Sequence, residues 1–129
     1  MKAWKYFLPA TLWIILILIL CTLPGKDIPT NSFLERIHFD KFVHFGLFGG
    51  IVLFLSMGVY WHKKHISAFT LLLFVVVAAV YGFVIELIQK YWAVGRSFDL
   101  YDVLADTLGA AAGVIVFKIV LRLFYKQKS

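Results

Sequence analysis

Four long apolar runs constrain the fold of this chain more than any other feature of its sequence. They extend over residues 6–23, 42–61, 66–89 and 100–121. A helix that rises about 1.5 Å per residue needs about 20 apolar residues to cross about 30 Å of hydrocarbon, so each run is long enough to span a membrane. Because 62% of the residues are hydrophobic and only 16% are charged, we expect lipid to be the solvent of this chain.

The fourth run is the least regular, because its uncharged part covers only residues 107–117. That part is too short to cross the hydrocarbon. Extension to residues 100–121 gives the required length, with Asp102 at one interface and Arg122 at the other. The sequence therefore predicts an all-α integral membrane four-helix bundle, formed by a single domain over residues 1–129.

The first run resembles a cleaved signal sequence in one respect, since Lys2 and Lys5 precede it. Large apolar residues nevertheless occupy positions 18–20, where a cleavage site needs small ones. We therefore expect a permanent helix. The single cysteine, Cys21, lies inside this run and is predicted to be a small packing residue.

Charges at the ends of the spans predict the orientation of the bundle. With both termini in the cytoplasm, eight of the thirteen lysine and arginine residues fall on the inner side, in agreement with the positive-inside rule. The net charge of +6 then reflects membrane anchoring rather than binding of nucleic acid. All the acidic residues fall on the outer side: Asp27, Glu35, Asp40, Glu86, Asp99, Asp102 and Asp106.

Two outer segments connect the spans. Residues 26–40 contain Ser32 and Glu35 at the spacing of a helix capping box, which predicts a short helix in the membrane interface. In the second segment Trp92 is typical of an interface anchor, and Asp99 is placed to cap the start of span 4.

Three ionisable residues on different spans are predicted to lie at one depth. Counted from the outer end of each span, the helical rise places His44 about 4–5 Å inward, and Glu86 and Asp106 about 6 Å inward. Ionisable groups inside a membrane usually face the bundle interior and mark a functional site. The alternative is that they neutralise one another and hold the helices in register.

Span 2 adds two neighbours to His44. Asp40 precedes it by four residues and therefore shares its helix face, with Lys41 close by. A histidine on an apolar helix is more often a hydrogen-bonded core residue than a ligand, and Lys41 suits an interfacial anchor equally well. Asp40, Lys41 and His44 nevertheless form part of the candidate site.

Polar residues at the end of span 3 and in the following loop complete the candidate site. Gln89 follows Glu86 by three residues and reaches the same helix face. Arg96 lies on the loop above and has the geometry to clamp a carboxylate or a phosphate. It can equally well pair with Glu86 or Asp102.

Span 4 carries a continuous stripe of acids and glycines spaced three or four residues apart, which must face protein. Gly109 and Gly113 form a small-xxx-small motif that lets another helix approach closely. The acids nearest the start of the span also suit the positive end of the helix dipole. The stripe consists of Asp99, Asp102, Asp106, Gly109 and Gly113.

Taken in order, several stretches resemble the VanZ-like family of small bacterial membrane proteins. Each stretch is short, but the ordered set covers most of the chain. The matching pieces are Asp40-Lys41-Phe42-Val43-His44-Phe45-Gly46, Tyr81-Gly82 through Glu86 and Gln89, Gly95-Arg96-Ser97 with Asp99, and residues 102–109, together with Leu23-Pro24 at the end of span 1.

This resemblance implies a multi-pass protein of the bacterial cytoplasmic membrane, in a family named for a member associated with low-level teicoplanin resistance. The family pattern more often has asparagine where this chain has Asp106, which favours a hydrogen-bonding role for Asp106 over that of a required acid. The family signature falls on Asp40, Lys41, His44, Glu86, Gln89, Arg96, Asp102 and Gly109.

Two functions from different classes fit these residues. The first is binding of a lipid-linked or lipophilic amphiphile, such as a lipoglycopeptide antibiotic or an envelope lipid, at the outer face. The alternative is a membrane-embedded enzyme that acts on a lipid head group by acid/base or metal-assisted chemistry, with His44 and Glu86 as candidate catalytic groups. No recognised catalytic or metal-binding spacing supports the enzyme. The sequence predicts no particular metal, cofactor or oligomeric state.

Overall fold

A computed structural model describes residues 2–22, 39–92 and 98–125, with the backbone alone for residues 39 and 40. The predicted interfacial helix within residues 26–40 lies almost entirely outside this part of the chain. So does Arg96.

The described residues form a short 3-10 turn followed by four α-helices. The turn covers Ala3–Phe7, and the helices are α1 (Leu8–Cys21), α2 (Phe39–Lys63), α3 (Ala68–Trp92) and α4 (Leu100–Phe124). All four helical regions are long and apolar enough to cross a membrane. The predicted all-α bundle with four spans is therefore confirmed, while the cytoplasmic placement of both termini stays a prediction.

Polar groups set the starts of two helices. The Ser67 hydroxyl accepts a hydrogen bond from the Thr70 main-chain N–H, so α3 starts at Ala68 rather than at the predicted residue 66. The Asp99 carboxylate accepts one from the Tyr101 N–H at the start of α4, as predicted.

The helices also extend beyond the predicted apolar runs. α2 covers Phe39–Lys63 instead of residues 42–61, and α4 continues past residue 121 to Phe124. Helical hydrogen bonding does not require apolar side chains, so charged and aromatic residues continue each helix outside the hydrocarbon. α2 ends at Lys63, and the following residue, Lys64, has a left-handed backbone with φ 59° and donates its N–H to the Tyr60 carbonyl.

The main contact of the bundle joins α2 and α4, and it depends on glycine. A Cβ atom on Gly109 would collide with the main chain of Phe45, and one on Gly113 would lie 2.5 Å from the Gly49 carbonyl oxygen. The two backbones therefore touch, which only residues without a Cβ allow. α3 packs beside this pair, and α1 packs against α2 and α3.

Large apolar side chains cover the outside of the bundle as well as its core. On α3 alone, Phe69 is 72% exposed and Leu72 is 60% exposed. In water such a continuous apolar surface would be unfavourable, whereas lipid solvates it. The core between the helices is formed by Ile17, Cys21, Phe48, Ile51, Val52, Ala78, Ile85 and Ala110, so the packing role predicted for Cys21 agrees with its place in the core.

Within the described residues, three side chains connect α1 to its neighbours by hydrogen bonds to main-chain carbonyl oxygens. A polar group inside a membrane helix needs such a partner, because lipid offers none. The bonds run from Trp13 Nε1 to Leu47 (2.8 Å), from the Tyr81 hydroxyl to Ile14 (3.0 Å) and from Gln89 Nε2 to Cys21 (2.7 Å).

Trp13→Phe is expected to lower the free energy of unfolding by about 1 kcal/mol, because it removes one interhelical hydrogen bond and keeps most of the aromatic packing. Gly50 gives the indole its room, since a Cβ on Gly50 would overlap the Trp13 ring. Trp92→Phe is the matched control, as Trp92 is 79% exposed. Unfolding of both variants in detergent micelles checks the prediction, and an equal loss in the two would contradict it.

Candidate functional site

One end of the bundle, where α2 and α4 begin and α3 ends, contains all the acidic side chains that the structure describes. We call it the acidic end; its members are Glu86, Asp99, Asp102 and Asp106. Asp40 lies in the first turn of α2 at the same end. Asp27 and Glu35 lie outside the described residues.

His44 and Asp106 form the most deeply buried polar contact at the acidic end. His44 Nδ1 lies 2.8 Å from Asp106 Oδ1, and Asp106 is completely buried. A Cβ atom on Gly82 would lie 2.5 Å from the other oxygen, Asp106 Oδ2. Glycine at position 82 of α3 therefore provides the space that the Asp106 carboxylate occupies.

Lys41 joins two carboxylates, that of Asp102 in the first turn of α4 and that of Asp99, which caps the helix. Its Nζ donates hydrogen bonds of 2.6 Å to Asp99 Oδ2 and of 2.6 Å to Asp102 Oδ1. The Lys41 and Asp99 side chains are 24% and 36% exposed, whereas that of Asp102 is only 10% exposed. Lys41 and Asp99 therefore form the accessible rim of the cluster.

Glu86 is completely buried behind this rim. Its Oε2 accepts a hydrogen bond of 2.9 Å from the main-chain N–H of Asp99. Its Oε1 has no hydrogen-bond partner among the described residues. The sequence pointed to basic side chains as partners for this carboxylate, but its hydrogen bond comes from the backbone that leads into α4.

His44, Glu86 and Asp102 converge from three different helices. His44 Nε2 lies 3.6 Å from Asp102 Oδ2, and one potential ligand atom from each residue lies within 4.8 Å of the other two. All three residues are buried. A histidine nitrogen and two carboxylates at this spacing can share a bound cation or a proton.

The four acids of the cluster face only one lysine and one histidine among the described residues. With His44 neutral and all four carboxylates ionised, these described side chains carry a net charge of three negative. Taken alone, they favour a cation over an anion.

The sequence also matches a known protein family, which the geometry of the site alone does not identify. The family model described as VanZ/LLP1 matches residues 6–122. The chain belongs to the VanZ/LLP1 family. The match includes nearly all of the four helices and every residue of the acidic end, and together with the four apolar helices it makes this a multi-pass VanZ-like membrane protein. No curated protein and no solved structure matches the chain.

Most of the candidate residues chosen from the sequence of this VanZ/LLP1 member meet in one cluster. The other three candidates are Gln89, Asp40 and Arg96. Gln89 is buried and donates its amide hydrogen to the Cys21 carbonyl on α1, so it connects two helices. The Asp40 side chain and Arg96 lie outside the described part. The residues that meet are Lys41, His44, Glu86, Asp102 and Asp106.

Asp99 is a cluster member that the sequence placed in the span 4 stripe and at the helix cap, but not among the predicted ligand-binding residues. One of its oxygens caps α4, the other accepts from Lys41, and its N–H supports Glu86. The spacing of three residues between Asp99 and Asp102 was the available signal, because it places both at the first turn of α4.

Proposed function

We propose that this VanZ/LLP1 member binds the head group of a lipid-linked or lipophilic amphiphile at its acidic end. The amphiphile is a lipoglycopeptide antibiotic or an envelope lipid. Binding of the antibiotic contributes to teicoplanin-type resistance. The observation that carries the proposal is the convergence of ionisable side chains from α2, α3 and α4 inside an otherwise apolar bundle. Such groups are costly within a membrane, and apolar packing would hold the helices at lower cost.

Partial exposure of the rim supports access by a ligand. Lys41 and Asp99 contact the surroundings, while His44 and Glu86 lie behind them. A head group that arrives at the end of the bundle therefore meets the lysine first. The buried groups contact it only after it has entered.

Exposed aromatic side chains beside the rim suit the apolar part of an amphiphile. Phe42 is 66% exposed on α2, Trp92 is 79% exposed on α3 and Tyr101 is 73% exposed on α4. Aromatic rings are favoured at the level of lipid head groups, where one side of the ring is apolar and the other is wet. A ligand with its polar group in the cluster can rest its hydrocarbon part on these rings.

The predicted orientation completes the proposal. With both termini in the cytoplasm, the acidic end faces outward, toward the compartment in which lipoglycopeptides and lipid-linked envelope precursors are met. The basic turn between α2 and α3 then lies on the cytoplasmic side.

Expression of the chain in a teicoplanin-sensitive bacterium is expected to raise the inhibitory concentration of teicoplanin. His44→Gln and Glu86→Gln are expected to return it to the empty-vector value, because the first removes the imidazole and the second removes a carboxylate charge at the centre of the cluster. His62→Gln is the matched control, since His62 is exposed at the opposite end of α2. Susceptibility is measured together with membrane abundance on immunoblots.

Full protection by both cluster variants at normal abundance would contradict the site. Equal loss of protection in His62→Gln would show that the phenotype does not depend on the acidic end.

A further inference from the structure

His44, Glu86 and Asp102 share a feature that simple charge neutralisation does not require. Each has one polar atom fixed by a neighbouring group and a second one left for another partner. Metal ligands in proteins are typically held in this way, because the supporting hydrogen bond orients the ligand atom. The fixed atoms are His44 Nδ1, held by Asp106; Glu86 Oε2, held by the Asp99 N–H; and Asp102 Oδ1, held by Lys41.

The second atoms of the three residues are His44 Nε2, Glu86 Oε1 and Asp102 Oδ2. Nε2 and Oδ2 are 3.6 Å apart, close to the separation of about 3.3 Å that bonds of 2.0–2.1 Å to one tetrahedral zinc ion give. Glu86 is 0% exposed, and its Oε1 has no hydrogen-bond partner within the described ranges. A completely buried carboxylate oxygen without a partner is costly, and a cation would satisfy it.

We propose that His44, Glu86 and Asp102 bind a divalent transition metal ion, with Zn²⁺ as the representative. One imidazole nitrogen and two carboxylate oxygens are ligands that such ions accept. One potential ligand atom from each of the three residues lies within 4.8 Å of the other two. Asp106 orients the imidazole in this arrangement and is not itself a ligand.

The charge of the cluster favours this occupant. Among the described residues, four ionised carboxylates and one lysine carry a net charge of three negative when His44 is neutral, and a divalent ion reduces it to one negative. An ammonium group would supply one charge and would need donors aimed at the same three atoms. A divalent metal satisfies all three atoms at once.

Three protein ligands leave a coordination position for an outside oxygen. This part of the inference rests on the proposed function: the open position would meet a phosphate or carboxylate oxygen of the amphiphile's head group. The metal thereby explains how an acidic cluster receives an anionic head group. Lys41, at the rim, would stand beside the incoming anion.

The experiment measures Zn²⁺ binding to the purified full-length protein in detergent, after treatment with a chelator and without any amphiphile. The wild type is expected to bind one equivalent of Zn²⁺ by calorimetry and by elemental analysis. His44→Ala, Glu86→Gln and Asp102→Asn are each expected to weaken binding by more than about 100-fold. Asp106→Ala is expected to weaken it by about 10–100-fold, the usual effect of losing a supporting partner.

The double variant His62→Gln/His65→Gln is the matched control, because these exposed histidines at the opposite end are the obvious alternative Zn²⁺ ligands. It is expected to bind as the wild type does. A wild type that binds no Zn²⁺, or ligand variants that bind as tightly as the wild type, would overturn the metal site. If one variant does not accumulate, the stoichiometry of the wild type and the remaining variants still decide whether the metal site exists.

Metal binding and the proposed function fail separately. Stoichiometric Zn²⁺ binding that depends on His44, together with unchanged teicoplanin susceptibility, would support the metal site and refute the lipoglycopeptide role. Loss of protection in the His44 and Glu86 variants without any Zn²⁺ binding by the wild type would do the reverse.

Discussion

Gly109→Ala is expected to destabilise the bundle by about 3 kcal/mol or more, although it adds only one methyl group. A Cβ atom at this position would collide with the carbonyl group and Cα of Phe45 on α2. These are main-chain atoms of a helix, so no side-chain rotation can relieve the contact. The helices must move apart along their main interface, and the buried polar contacts between α2 and α4 move with them.

Gly46→Ala is the matched control for this prediction. Gly46 lies next to Phe45 on the same interface helix, but a Cβ there would meet no atom within 4 Å. Both substitutions gain the same helix propensity, about 0.8–1.0 kcal/mol, so their difference isolates the contact between helices. Thermal unfolding of the two purified variants in one detergent gives this difference. Equal stability would show that α2 and α4 do not approach as closely as the glycine contacts require.

Lys41→Met is expected to produce the second large loss, at the lower end of about 3–5 kcal/mol. The substitution keeps an aliphatic side chain of similar length but removes the ammonium that joins Asp99 and Asp102. The Asp99 and Asp102 carboxylates then lose the ammonium that joins them. Because Lys41 is partly exposed, water compensates for some of the loss.

Two further variants show whether charge is the cause. Lys118→Met removes an exposed lysine in the C-terminal part of α4 and is expected to leave stability unchanged. Asp99→Asn, combined with Lys41→Met, is expected to recover part of the loss, since it removes one of the two carboxylate charges that Lys41 joins. Unfolding in detergent is the measurement for all of them. A Lys41→Met protein as stable as the wild type would mean that the ion pairs contribute nothing.

Helical geometry explains why the sequence was informative about the site. The rise per residue is fixed, so counting from the ends of the spans placed His44, Glu86 and Asp106 at one depth without knowledge of their neighbours. The structure brings His44 together with both others through the same cluster. The spacing of the span 4 stripe likewise placed Asp102, Asp106, Gly109 and Gly113 on one buried face.

Rotation and pairing of the helices could not be obtained in the same way. The glycine motif indicated that some helix approaches α4, but the identity of that helix, α2, depends on contacts with all its neighbours. The donor to Glu86 is a main-chain N–H, which no side-chain pattern encodes. The Trp13 and Tyr81 hydrogen bonds did have a signal, because an N–H or O–H inside an apolar span needs a partner.

The way in which α1 is attached has a consequence for how its sequence can vary. Among the described residues, two hydrogen bonds from α3 end on the carbonyl oxygens of Ile14 and Cys21, which any residue at those positions would supply. Tyr81 and Gln89 therefore fix the position of α1 along its own axis through its main chain, and these two bonds do not depend on the identity of its side chains. We expect α1 to tolerate exchange among apolar residues of similar size, whereas the insertion or deletion of a single residue would shift both acceptors out of reach and rotate the helix by about 100°.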